Sequence, residues 1–154
     1  MNTNDVNYYN SLGCACQRNG EFGEAVKHFS KAIELAPENP DFRFNRGWCA
    51  IKVELYDMAI DDFSFVLSKN SNDAESYFNR GLAYQRKTDF KSAYNNFDSA
   101  INESPNNADY YVHRAMALAV FGNIQEALKD IERCQSIDPQ NALAQTVLAH
   151  IRQM

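Results

Sequence analysis

The feature that most constrains this chain is a spacing of 34 residues that recurs without a slip. Gly13, Gly47 and Gly81 stand 34 apart, and Ala115 takes the next place. Ala25, Ala59, Ala93 and Ala127 keep the same step, as do Phe29, Phe63, Phe97 and Ile131. A period of this length marks stacked supersecondary units, each too small to bury its apolar face alone. The units run 6–39, 40–73, 74–107 and 108–141, with 142–154 following, so one domain over 1–154 is expected.

Each unit reads as two helices. In the first unit VNYYNSLGCACQRN is followed, after a short turn, by GEAVKHFSKAIELA. Gly20 and Gly122 mark that turn in the first and fourth units. The unit boundaries APENPD, SKNSND, SPNNAD and DPQNAL end one helix and offer caps to the next. Pro37, Pro105 and Pro139 share one register there, and Ser71 replaces proline in the second unit. A glycine inside a helix costs about 0.8–1 kcal/mol relative to alanine. Three at one register therefore point to a close approach of two backbones, with Phe29, Phe63 and Phe97 filling the seam. Phe22, Tyr56, Phe90 and Ile124 are expected just before the second helices, packing across the turn.

These residues resemble the tetratricopeptide repeat family. The first unit supplies Tyr9, Leu12, Gly13, Ala25, Phe29, Ala32 and Pro37, and the third Tyr77, Gly81, Tyr84, Ala93, Phe97, Ala100 and Pro105. The second departs at Val66 and Ser71, the fourth at Ala115, Ile131 and Cys134. The resemblance implies an all-α, right-handed superhelix of four helical hairpins plus a C-terminal capping helix. The tail ALAQTVLAHIRQM fits that cap, with Leu143, Val147, Leu148 and Ile151 as its apolar stripe. A truncated fifth repeat of a longer protein is the alternative; the starting Met and the short polar end favour a complete protein.

The resemblance further implies a concave groove lined by the first helices, where a peptide or partner helix binds. Carried over position by position, the fifth places are Asn10, Phe44, Phe78 and Val112, the sixth Ser11, Asn45, Asn79 and His113, and the ninth Cys14, Trp48, Leu82 and Met116. The expected binding residues are Phe44, Asn45, Trp48, Lys52, Phe78, Asn79, Leu82, Arg86, Val112, His113 and Met116. Their large apolar members suggest a partner surface, or lateral packing between neighbouring helices. The Asn45, Asn79, His113 ladder could bond a peptide backbone, neighbouring helices or solvent. One subclass of the family clamps the C-terminal carboxylate of chaperones. It needs cations and asparagines where this chain has Asn10, Cys14, Asn45, Glu75 and Asn79, and only Asn45 matches. Glu75 would repel a carboxylate, so a chaperone tail is not the expected partner.

Two charge rows follow the repeat. Asp41, Glu75 and Asp109 open successive first helices, and Arg18, Lys52 and Arg86 close them. They complement the helix macrodipoles, and they would also orient a segment of mixed charge. A third row, Arg46, Arg80 and Arg114, is expected to be satisfied internally.

Other classes are excluded on composition and spacing. The net charge of −5 and the absence of a lysine- or arginine-rich run argue against nucleic acid. No apolar run is long enough to span a membrane, and the N-terminus does not read as a secretory signal. Cys14 and Cys16 point roughly 200° apart on a helix. With Cys49 and Cys134 they read as reduced, mostly buried thiols of a cytoplasmic protein. His28, His113 and His150 join no recognisable catalytic or metal-binding motif. His113 could meet His150 if the tail takes a fifth first-helix place. No enzyme activity, cofactor or metal is expected. The leading expectation is an interaction adaptor; a self-associating structural module is the alternative.

Overall fold

The computed structural model describes residues 3–153, with side chains from Asp5 onward. Met1, Asn2 and Met154, the ends of the expected domain, lie outside them. The helices are α1 (Thr3–Arg18), α2 (Phe22–Leu35), α3 (Pro40–Lys52), α4 (Tyr56–Lys69), α5 (Ala74–Arg86), α6 (Phe90–Glu103), α7 (Ala108–Val120), α8 (Ile124–Ile137) and α9 (Ala142–Ile151). Among the described residues there is no strand. Phe22, Tyr56, Phe90 and Ile124 begin the second helices rather than precede them.

The helix starts explain why the boundaries repeat. Asn39, Asp73, Asn107 and Asn141 stand one period apart, and each accepts a backbone N–H with its side-chain oxygen. The donors are Asp41 (2.9 Å), Ser76 (3.4 Å), Asp109 (3.0 Å) and Ala144 (2.9 Å). Each bond satisfies one donor that a helix start leaves open.

The first helices end in the same way each time. Gly20, Glu54, Thr88 and Gly122 have φ of 78°, 63°, 63° and 78°. The next amide reaches back five residues: Glu21 to Cys16 (2.9 Å), Leu55 to Ala50 (2.8 Å), Asp89 to Tyr84 (3.0 Å) and Asn123 to Leu118 (3.0 Å). This is the left-handed helix stop in which glycine is the unstrained residue. A Cβ on Gly20 or Gly122 would meet nothing within 4 Å, so backbone conformation alone calls for glycine there.

Within a hairpin the small residue of one helix receives the ring of the other. A Cβ on Gly13 would lie 2.7 Å from Phe29, on Gly47 3.1 Å from Phe63, and on Gly81 2.6 Å from Phe97. All three phenylalanines are fully buried. The fourth hairpin solves the same problem with a larger first residue and a smaller second one, Ala115 and Ile131, both fully buried.

The arginine row is satisfied as expected. Arg46 on α3 donates Nε and Nη2 to both oxygens of Asp62 on α4 (2.8 and 2.7 Å), and Nη1 to Ser30 on α2 (3.0 Å). Arg114 on α7 repeats the fork on Asp130 of α8 (2.8 and 2.7 Å) and reaches Asp98 on α6 (2.6 Å). Arg80 donates to Asn96 Oδ1 at 2.8 Å. Arg46 and Arg114 thus each tie their first helix to the second helices on either side.

The chain divides into two compact units, Met1–Ser71 and Asn72–Met154. The division falls where Ser71 replaces the recurring proline. In the first, α1 packs on α2, α2 on α3 and α3 on α4. In the second, α5 to α8 continue the same succession, and α9 packs on α7 and α8. Val147 and Ile151 are buried there and Leu143 and Leu148 half-buried, as the apolar stripe predicts.

Candidate functional site

The expected binding residues fall on α3 in the first unit and on α5 and α7 in the second. On α3, Phe44 packs edge-on against Phe63, with centroids 5.5 Å apart, and Trp48 against Phe22 at 5.6 Å. Lys52 Nζ lies 4.8 Å from the centre of the Trp48 ring. Phe44, Asn45 and Trp48 are half-buried and Lys52 is exposed. Phe44 therefore packs within its own hairpin and Trp48 on the preceding one, and each leaves another part open.

The second unit gathers its residues more tightly. Phe78 lies 4.8 Å from Tyr110, 5.3 Å from His113 and 5.8 Å from Phe97, measured between ring centres. His113 is closed in by these rings, and burial holds its pKa down to about 4, with Arg86 adding to the effect and Asp109 opposing it. It is neutral at pH 7. Its Nδ1 sits 3.0 Å from Gln85 Oε1, which only accepts, so this pairing assigns the proton to Nδ1. Asn79 is buried and donates to the Glu75 carbonyl at 3.0 Å. Two members of the ladder are thus engaged inside the protein.

Val112 requires a correction. It was expected on the trough and is fully buried, because α9 covers α7 and Val112 joins a core cluster with Ala144 and Val147. Leu82 and Met116 are half-buried and Arg86 is exposed. The charge rows sit where the macrodipoles favour them: Asp41, Glu75 and Asp109 in first turns, Arg18, Lys52 and Arg86 in last turns.

An open apolar cleft of about 360 Å³ lies beside α9, and most of it was missed by position-by-position reasoning. Met116, Ala119 and Val120 of α7 form one wall. Leu143, Val147 and Ile151 of α9 form the other, with Phe90 at the start of α6. Thr146 and His150 add polar groups. A signal existed in the repeat. Thr146 stands in register with Phe44, Phe78 and Val112, and Ala119 with Gln85, so short side chains replace long ones. The basic row gives way to Val120 and the acidic row to Leu143. Val120 is 56% exposed and its neighbour Phe121 48%.

The histidines and cysteines form no centre. His150 is exposed on the cleft while His113 is enclosed. Burial pushes the Cys49 and Cys134 thiols up to about 11, so they stay protonated. Among the described residues no three His, Cys, Asp or Glu side chains are placed to hold a metal. No helix among them is long and apolar enough to cross a membrane.

The geometry has close counterparts among solved structures. The crystal structure of MamA superposes with a TM-score of 0.88 at 20% identity, over 97% of this chain and 81% of that one. YrrB, described as a TPR protein with an unusual peptide-binding site, gives 0.86 at 22%, over 99% and 77%. The Arabidopsis OM64 TPR domain gives 0.71 at 22%, over 74% and 94%. At these identities the likeness is one of fold. Comparison with curated proteins finds no match. Tetratricopeptide repeat profiles match residues 6–39 and 78–142. With the hairpins, the glycine–phenylalanine seams and the 34-residue register on the same residues, the chain belongs to the tetratricopeptide repeat family.

Proposed function

We propose that this chain is a non-enzymatic adaptor that binds a peptide or helix through its first helices. One observation carries the reading. Phe44 and Trp48 in the first unit, and Phe78, Leu82 and Met116 in the second, keep large apolar side chains only half-buried. A face meant only for solvent has no use for them, whereas a partner's apolar groups would complete their burial at about 25 cal/mol per Å². YrrB, which shares the fold, is described as binding a peptide. Glu75 is exposed in the first turn of α5, which disfavours a chaperone's C-terminal carboxylate as the ligand. The buried thiols suit a reducing, cytoplasmic setting.

Affinity capture from the native cell, read by mass spectrometry, tests this. A partner retained by the wild type and lost by both Trp48→Ala and Leu82→Ala is the expected result. Capture that neither variant changes removes the first-helix face from consideration. Light scattering run in parallel separates the self-associating alternative: a concentration-dependent dimer that Trp48→Ala dissociates would replace the adaptor reading.

A further inference from the structure

Resting on the binding reading above, we propose that the cleft between α7 and α9 holds the apolar anchors of an acidic peptide segment. The cleft's volume of about 360 Å³ is at the small end of ligand pockets, which run to roughly 1,000 Å³. It suits a pair of side chains rather than a folded surface. Met116, Val120, Leu143 and Val147 offer such side chains no polar group, so the anchors must be apolar.

The charge around the cleft selects what flanks those anchors. The chain as a whole carries −5. The segment 84–94, which brings Phe90 to the cleft, carries Arg86, Lys87 and Lys91 against Asp89 alone. The Asp89 carboxylate accepts the Ser92 amide at 3.1 Å and the Ser92 hydroxyl at 2.7 Å. Helix α9 contains no acid; Arg152, which follows Ile151, lies on the α8 side of α9 with Glu132 and takes no part in the cleft. An otherwise acidic protein thus brings a net-basic segment to its apolar cleft and faces it with a helix that carries no acid. Acidic residues beside the anchors would meet those cations, while a basic segment would lose by the same charges. The acidic row, which would oppose this, stops short of the cleft at Asp109, and Asn141 donates to that carboxylate at 3.2 Å.

Phage-displayed random dodecapeptides panned on the full chain supply an unbiased probe. Thr146→Phe restores at an exposed position the ring that Phe44 and Phe78 supply in the same register, and plugs the cleft. Lys91→Glu alters the charge without touching the lining. The enriched peptides are expected to carry two large apolar residues and a net negative charge. They should bind each variant at least tenfold more weakly and lose affinity as NaCl is raised. Enrichment of neutral or basic peptides, or no enrichment at all, overturns the proposal. Peptides that bind Thr146→Phe undiminished but are lost on Leu82→Ala overturn the cleft and leave the first-helix face standing. Peptides indifferent to all three variants overturn both. A wild-type dimer in sedimentation that Thr146→Phe dissociates assigns the cleft to a second copy instead.

Discussion

Replacing Thr88 by glycine should stabilise this protein, although it removes a side chain and loosens the unfolded chain. Thr88 closes α5 at φ 63°, in the register that Gly20 and Gly122 fill at φ 78°. An L-residue in this conformation brings Cβ close to the following carbonyl, at roughly 1–2 kcal/mol. Threonine, being β-branched, is a rare occupant of this conformation. Glycine escapes that strain but loses more backbone freedom on folding, by roughly 0.5–1 kcal/mol. The difference leaves Thr88→Gly ahead by about 0.7 kcal/mol. Residue 88 is exposed, so no packing is lost to confuse the comparison.

Calorimetry reads this directly. With about 2 cal/mol/K of unfolding entropy per residue, the melting temperature should rise by about 2 °C if the chain unfolds as a whole. It should rise by about twice that if Asn72–Met154 unfolds by itself, because half as many residues share the entropy. Glu54→Gly should act the same way in the other unit, and Gly122→Ala should lose about 1 kcal/mol with no steric contribution. Thr88→Ala is the decisive control, since alanine keeps a Cβ in the same conformation. If Thr88→Ala raises the melting temperature as much as Thr88→Gly, or if neither raises it, left-handed strain at residue 88 is not what the turn stores.

Other perturbations address the seams, the ion pairs and the buried histidine. Gly81→Leu should overpack the third hairpin against Phe97 and cost on the order of 1–3 kcal/mol by urea denaturation. Gly81→Ala should cost less, and Phe97→Ile should return part of that loss, since Ala115 and Ile131 already coexist. Asp62→Ala strands the Arg46 guanidinium and should cost about 3–5 kcal/mol. Asp62→Asn should cost clearly less, because Asn96 serves Arg80 in the same register. His113 titrates near 6.5 when unfolded and at about 4 when folded, so between those values only the unfolded chain gains a proton. Stability should therefore be complete above pH 6.5 and fall by about 3 kcal/mol as pH drops to 4. His113→Phe should flatten that part of the profile.

What could be read from the chain alone follows physical range. Caps at Asn39, Asp73, Asn107 and Asn141 act over two or three residues, so the boundary segments already announced them. The Gly13, Gly47 and Gly81 register announced the seams, because an internal glycine demands a contact to explain it. The turns at Glu54 and Thr88 were hidden, since glycine is the usual mark of a left-handed residue and neither carries it. The expected binding face could be laid out by register but not by accessibility. Position numbers placed Val112 and Asn79 on it, but whether a side chain stays open depends on neighbours that local spacing does not report. Here α9 packs onto α7, and Asn79 turns to the Glu75 carbonyl.

The four hairpins also act as comparisons within one molecule, and their departures from the common pattern are of two kinds. Some are compensated inside the hairpin. Ala115 is larger than glycine and Ile131 smaller than phenylalanine; Arg80 meets an amide instead of a carboxylate and keeps its bond at 2.8 Å. Such changes preserve a contact and need no reason beyond packing. Val120 is different. It puts an apolar side chain, 56% exposed, where three earlier repeats put a cation in the last turn of a first helix. Relative to its predecessors it forgoes a favourable interaction with the helix dipole, worth roughly 0.3–1 kcal/mol, and buries little in return. A change that weakens the hairpin and gains no contact within it fits the anchor site proposed for the cleft. Leu143, in register with the acidic row, also gives up a dipole partner, but it is half-buried against the core of the second unit, so Val120 alone makes the exchange without a return.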